Sequence, residues 1–261
     1  MMANDLSSDE KPGQIPTNLR LLVLLEEVAK AGVPVTPSSL KEELNLPKPT
    51  LHRLFQTAEA EGFLQRDIDG RSYSPGPRLR RLAINTVSSQ RVRMVRLSIL
   101  RSVSEEFGET CNIATPDRDG MTYLDRVETH WPLRIQLPVG TQVPFYCTAS
   151  GKMYLSSLRP AYLERFLTRL KLDARAPGTI TDKDALRGEI EQTRERGYST
   201  DNEEFMEGMA AVAVPILDPQ NRLVSTLSVH APLQRLSLAN LQAKIDTLRS
   251  GADDLSKLLS E

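Results

Sequence analysis

Lys48, His52, Arg53 and Gln56 stand close together, interleaved with Leu51, Leu54, Phe55 and Ala58. The apolar set recurs at helical spacing, so a helix here buries one face and turns the polar side chains outward. That outward chemistry suits a DNA groove. A guanidinium forks onto guanine and a carboxamide onto adenine, which assigns Arg53 and Gln56 to base edges with His52 beside them; Lys48 and Thr50, near the helix start, suit phosphate. A second constellation lies far downstream. Thr148-Ala149-Ser150-Gly151 opens a predicted helix, whose first amides lack partners and whose dipole end is positive, a setting that favours a carboxylate. Thr226, Ser228 and His230 alternate with Leu227 and Val229, so in a strand the three polar residues share one face.

A catalytic reading is also open to inspection. Cys147 with His130 or His230 and Asp201 contains the residue types of a thiol nucleophile, a base and an orienting group. Nothing in their spacing supports that assembly, and the chain carries no glycine-rich phosphate loop, paired-histidine metal motif or nucleophile elbow. The expectation is a non-enzyme with no cofactor and no metal. A lone Cys147 is ordinarily a small buried apolar residue.

The elements that position the first constellation form a helix-turn-helix. Leu19, Leu22, Leu25, Val28 and Ala29 predict a helix over 18–31 closed by Gly32. A very short strand at 33–35 follows, then Thr36-Pro37 as the cap of a helix over 38–44. Asn45-Leu46 makes the turn, and Pro47 and Pro49 are tolerated where amide hydrogens are not needed. Segments 63–66 and 72–74 flank Asp67-Ile68-Asp69-Gly70, a hairpin signal that predicts a wing with Arg71 at its tip. The helical pattern over 78–107 breaks near Ser88-Ser89. Downstream, predicted strands at 110–115, 121–127, 134–137, 211–217 and 223–230 mix with helices at 149–158, 161–167, 182–196 and 238–259. Asp119-Gly120 and Asp218-Pro219 join consecutive strands, which favours an antiparallel sheet flanked by helices.

At 261 residues with 39% apolar content, the chain is long enough for two domains with separate cores. The net charge of -1 conceals a basic stretch. From Asn45 to Arg96 ten Lys/Arg face four Asp/Glu, and the ten include Lys48, Arg53, Arg66, Arg71, Arg78, Arg80, Arg81, Arg93 and Arg96. Such a run suits a polyanion. Two cysteines exclude a disulfide framework and a four-cysteine zinc site. No apolar run approaches a membrane span and the N-terminus lacks a signal pattern, so a cytoplasmic protein with no membrane partner is expected.

Several motifs together resemble the IclR family of bacterial transcriptional regulators. In the N-terminal part these are Leu46-Pro47-Lys48-Pro49-Thr50, His52-Arg53-Leu54, Gly62-Phe63-Leu64 and Tyr73-Ser74-Pro75-Gly76. The C-terminal part contributes Tyr123-Leu124-Asp125-Arg126-Val127-Glu128, Pro132-Leu133-Arg134, Val139-Gly140, Cys147-Thr148-Ala149-Ser150-Gly151-Lys152, Arg196-Gly197-Tyr198, Asp201-Asn202-Glu203-Glu204 and Leu227-Ser228-Val229. Residues 1–16 have little to bury, which predicts a disordered tail, and the resemblance implies an α+β chain beyond it: a winged helix-turn-helix over 17–77, a linker helix over 78–90, and an effector-binding and oligomerisation domain of GAF-like fold over 91–261. It implies a ligand-responsive regulator of a catabolic operon, working as a homodimer or homotetramer on an inverted-repeat operator in double-stranded DNA.

Within the sensor domain, the resemblance assigns the effector to the backbone amides at Ala149 and Ser150, to Asp201, and to Ser228. Two positions depart from the family. Ala211 stands where the family has a cysteine, and His230 where it has a second serine. An imidazole can pair with a carboxylate or hydrogen-bond a phenol, and Ala211 leaves room, which points to a larger organic acid, an aromatic carboxylate among them. Phe145, Met206 and Met209 are the candidate apolar walls. The competing reading, a winged helix that contacts only protein, fits poorly with outward Lys48 and Arg53, since protein interfaces are poor in lysine.

Overall fold

The computed structural model describes residues 15–259, except Ile68, Ser88, Ser89 and Leu133. Most of the expected tail at 1–16, the pattern break at Ser88-Ser89 and one residue of the wing turn therefore lie outside the described residues. The chain divides into two compact units, Met1–Ser88 and Ser89–Glu261.

The first unit contains α1 (Arg20–Ala31), α2 (Lys41–Leu44), α3 (Lys48–Ala60), β1 (Leu64–Arg66), β2 (Tyr73–Pro75) and α4 (Pro77–Val87). Helix α1 buries Leu24, Leu25 and Val28 and closes on Gly32 in the left-handed region. Leu19 and Leu22, expected in the core, are exposed. At about 100° per residue Leu22 lies about 200° from Leu24, on the far side of the cylinder. Thr36 does begin the next turn, its Oγ1 accepting from Ser39 N at 3.3 Å. Helix α2 proper is shorter than expected and ends at Asn45, whose left-handed φ of 46° makes the turn into α3. The expected strand at 33–35 reduces to one bridge between Val35 and Tyr73. β1 and β2 pair antiparallel, with Leu64 opposite Pro75.

The core of this unit forms around Phe55, which is fully buried and lies 4.8 Å from the Tyr73 ring. Burial of a ring of that size contributes about 1.5 to 3 kcal/mol. It fixes which face of α3 turns outward.

The second unit runs α5 (Gln90–Phe107), β3 (Thr110–Pro116), β4 (Met121–Val127), β5 (Gln142–Val143), α6 (Ala149–Ser157), α7 (Pro160–Arg169), α8 (Lys183–Arg196), β6 (Ser199–Asn202), β7 (Met209–Leu217), β8 (Leu223–Pro232), α9 (Leu238–Ala243) and α10 (Ile245–Lys257). Its sheet has the order β5-β4-β3-β8-β7-β6, antiparallel at every pairing. The expected strand at 134–137 is irregular backbone. Its Ile135 carbonyl accepts from the Arg126 guanidinium instead of from a neighbouring strand. The helix expected over 238–259 breaks at Lys244, whose backbone leaves the helical region.

Strand alternation separates two faces. Cys111, Ile113, Val212, Val214, Leu227 and Val229 belong to one core with Leu100, Val103, Leu248 and Ala252 from α5 and α10. Ala211 and Ala213 point the other way and pack with Ala149 and Met153 of α6.

Candidate functional site

In the first unit, Lys48, His52, Arg53 and Gln56 are exposed and Thr50 is half-buried, while Leu51, Phe55 and Ala58 on the same helix are buried. Among the described residues these polar side chains make no hydrogen bond or ion pair, so their donors are available to a partner. Pro47 precedes the helix and Pro49 occupies its first turn, where no amide hydrogen is required. Arg71 is exposed at the wing turn. The turn is held by Asp69, whose Oδ1 accepts from Arg71 N at 2.8 Å and Ser72 N at 2.7 Å.

Several other arginines of the basic stretch are internally engaged. Arg66 pairs with Glu59 at 2.7 Å, and Arg78 pairs with Glu61 at 2.9 Å while lying 4.6 Å from the Phe63 ring centre. Arg80 donates to the Pro75 carbonyl. In the second unit Arg93 and Arg96 both reach Asp125, a fully enclosed carboxylate. The local charge excess therefore overstates the surface offered to a polyanion; Lys48, Arg53, Arg71 and Arg81 are the exposed basic residues of the stretch in the first unit whose side chains have no internal partner among the described residues.

The second constellation assembles on the α6 side of the sheet. Cross-strand register sets two rows. One runs Asp201, Ala211, His230, Thr110; the next runs Ser199, Ala213, Ser228, Asn112, Arg126. Directly opposed residues share a face, so Asp201, Ala211, Ser228 and His230 are brought together across three strands. Ser228 Oγ and His230 Nε2 are 3.3 Å apart, and the Tyr123 ring meets His230 edge-on at 6.3 Å. Thr226, on the same strand face, is buried rather than solvated and contacts the Ala114 carbonyl.

Helix α6 begins above β6 and β7. Thr148 Oγ1 accepts from Gly151 N at 3.1 Å, and Ser199 Oγ donates to the Ala149 carbonyl. A side chain at Gly151 would collide with the Phe145 backbone, so glycine is what lets the helix start this deep. The cap satisfies one amide and leaves those of Ala149 and Ser150 at the positive helix end. Ser150 Oγ is buried without a hydrogen-bond partner.

Asp201 has a structural duty as well, its Oδ1 accepting from Glu204 N at 2.8 Å and Phe205 N at 3.3 Å. Burial, and then the negative charge of Glu204, push its carboxyl up to about 7. Glu204 is likewise raised by burial, opposed by Lys152, a fully enclosed ammonium that pairs with Glu204 and lies 3.4 Å from Glu189. Burial and the nearby Arg126 charge lower His230 to about 3, so its ring is neutral at ordinary pH. Burial raises Cys147 to about 12, a protonated thiol with the chemistry of a core residue. His130 is exposed.

The apolar walls divide. Met209 is half-buried on the strand face of Ala211. Met206 is 42% exposed and stands on the surface. Phe145 is buried elsewhere, stacked on Tyr154 at 5.0 Å and edge-on to Phe166 at 5.5 Å, a core ring held by α6 and α7. An open cavity of about 440 Å³ lies beside Pro215, Asp218, Arg249 and Lys257, and none of the predicted effector residues lines it.

Asn112, Tyr123 and Arg126 lie on or beside these rows, and sequence reasoning did not single them out. Asn112 had a legible signal, a carboxamide in the middle of an otherwise small and apolar strand. Tyr123 and Arg126 fell within a family motif, but their place beside Asn112 and His230 follows from register, which is not written in one strand.

Comparison with known proteins supplies the remaining context. The profile described as IclR helix-turn-helix domain matches residues 19–67, and that described as Bacterial transcriptional regulator IclR C-terminal matches residues 84–257. The chain is 36% identical over 243 residues to the probable transcriptional regulator SauR of Cupriavidus necator, covering 93% of this chain and 96% of that one. The crystal structure of the Thermotoga maritima IclR superimposes with a TM-score of 0.62 at 27% identity, covering 94% and 99% of the two chains. An IclR homolog complexed with 4-hydroxybenzoate, from Microbacterium hydrocarbonoxydans, superimposes with a TM-score of 0.60 at 26% identity, covering 93% and 98%.

Proposed function

Since the chain belongs to the IclR family of bacterial transcriptional regulators, in which a DNA-binding domain is joined to an effector-binding domain, we propose that it controls a catabolic operon in response to an organic acid larger than two or three carbons, an aromatic carboxylate. It is a regulator and not an enzyme. The domains are read as a winged helix over 17–77, a linker over 78–90 and the effector domain from 91 onward. Two copies present their α3 helices to inverted half-sites about one helical turn, roughly 34 Å, apart, with Arg71 of each wing reaching backbone or minor groove. Arg53 and Gln56 meet base edges, His52 lies beside them, and Lys48 and Thr50 meet phosphate. The effector domain also joins copies, as a homodimer or homotetramer.

One observation carries the effector reading: the row Asp201, Ala211, His230 lies buried beside the start of α6, where Ser150 Oγ has no partner. The helix end receives the carboxylate. Ala211 supplies space rather than a polar atom, and the neutral His230 with Ser228 supplies hydrogen bonds to an uncharged group. Met209 lines the same face. Among described residues no helix is long and apolar enough to cross a membrane, and DNA and a small acid remain the partners. The acid acts by binding one arrangement of the paired DNA-binding domains more tightly than another, and its effect is bounded by that difference in affinity.

Isothermal titration of the purified protein against a panel of acids tests the reading. Aromatic carboxylates should bind, and binding confined to two- or three-carbon acids would refute it. Gel shifts on promoter fragments test the DNA half: affinity should fall steeply with salt, and a flat dependence removes the phosphate contacts.

A further inference from the structure

We propose that Asn112 is a specificity-determining residue, donating its carboxamide N–H to an uncharged oxygen, a hydroxyl or carbonyl, at the end of the effector opposite its carboxylate. The inference rests on the reading above, in which α6 holds that carboxylate. Asn112 is fully buried in the middle of β3. Its Oδ1 accepts from Arg126 Nη1 at 2.8 Å, and because a guanidinium only donates, that bond fixes which end of the amide is oxygen. Nδ2 is left buried without a hydrogen-bond partner. Buried polar atoms are ordinarily paired, and among the described residues none supplies an acceptor for this N–H.

Its position sets the length of the ligand. Asn112 lies in one row with Ser228, Ala213 and Ser199, and Ser199 also anchors the start of α6 through the Ala149 carbonyl. Three strand steps at about 4.8 Å separate the row's ends by about 14 Å. A two- or three-carbon acid held at the helix cannot span that row. A carboxylate with an oxygen on the far side of a ring can, hydrogen bonds included.

The charge balance favours an uncharged oxygen. Arg126 is enclosed, and its nitrogens already donate to Asn112, to the Ile135 carbonyl and to Glu128, which neutralises it. The donors left over are uncharged: the Asn112 carboxamide, the Tyr123 hydroxyl, and the Ser228 and His230 pair. A second anion would be buried beside a guanidinium whose charge Glu128 already meets.

Titration calorimetry of the full-length protein with benzoate, 4-hydroxybenzoate, 4-aminobenzoate and terephthalate tests this. The wild type should bind 4-hydroxybenzoate tighter than benzoate by about tenfold, the weight of one made hydrogen bond. 4-Aminobenzoate and terephthalate should bind no tighter than benzoate. Asn112→Ala should bring the ratio of 4-hydroxybenzoate to benzoate affinity close to one. Survival of the preference in Asn112→Ala overturns the proposal, as does 4-aminobenzoate equal to 4-hydroxybenzoate, or terephthalate as the tightest. If the variant does not fold, the wild-type series decides alone. All four benzoates binding alike defeats Asn112 and leaves the larger-acid reading standing; no benzoate binding defeats Asn112, and defeats the larger-acid reading as well where only two- or three-carbon acids bind.

Discussion

The outward face of α3 and the two sheet rows that hold Asp201 with His230 and Ser228 with Asn112 both carry polar side chains, yet they are built oppositely. On α3 the groups are exposed, unpaired and contiguous in sequence. On the sheet they are buried, contributed by β3, β6, β7, β8 and α6, and tied into neighbours on nearly every side. An exposed set can be altered at the cost of recognition alone. A buried set carries recognition and stability in the same atoms, so changes there should be felt by the fold first.

The sharpest way to break that contrast is Lys152→Ala, which strands the enclosed carboxylate of Glu204. Removing one partner of a buried pair costs about 3 to 5 kcal/mol, and denaturant unfolding should show a loss of that size. A near-neutral result would mean that the buried charges relax to water. Less drastic is Asp201→Asn, read against pH. The folded carboxyl, at about 7, holds its proton over a range in which the unfolded one, near 3.9, has lost it. The native state therefore binds more protons between those values, and wild-type stability relative to the variant should fall as pH rises from about 4 to about 7. His230 works in the opposite sense. Its pKa is lowered to about 3, so its contribution is present above about 6.5 and is lost as pH falls toward 3. A His230→Ser variant should lose less stability on acidification than the wild type.

On the DNA side, Arg53→Ala should cost about 1 to 3 kcal/mol of operator affinity and relax sequence preference, with the melting profile unchanged. Equal weakening on all sequences in a competition gel shift would move Arg53 to the phosphate group. The smallest effect expected is that of Thr148→Ala, which removes the α6 cap and costs about 1 kcal/mol by thermal unfolding. Loss of effector affinity with stability intact would instead mark Thr148 as a direct contact.

Legibility followed the same division. The split of Leu51, Phe55 and Ala58 from Lys48, Arg53 and Gln56 is a local helical pattern, and the structure repeats it. The same reasoning misplaced Leu22, because a run of leucines in α1 offers more than one stripe and only packing chooses between them. In the second unit β8 was legible as a strand with one polar face. The short strands β5 and β6 were not, being only two and four residues long, and the segment 134–137 looked like a strand until its carbonyl was claimed by Arg126. Phe145 and Met206 were apolar residues near the right motifs. Nothing local separates a wall from a core ring or an exposed side chain.

By itself the sequence determined two units, a helix with an outward polar face, a capped helix start downstream, and one polar strand face, since each is a periodicity or a cap within a few consecutive residues. The tertiary structure decided which arginines remain available, that Asp201 and His230 lose their ordinary proton affinities, and that Asn112 stands opposite Ser228 with an unused N–H. Those properties depend on burial and on cross-strand register, and both are settled only when segments distant in the chain pack together.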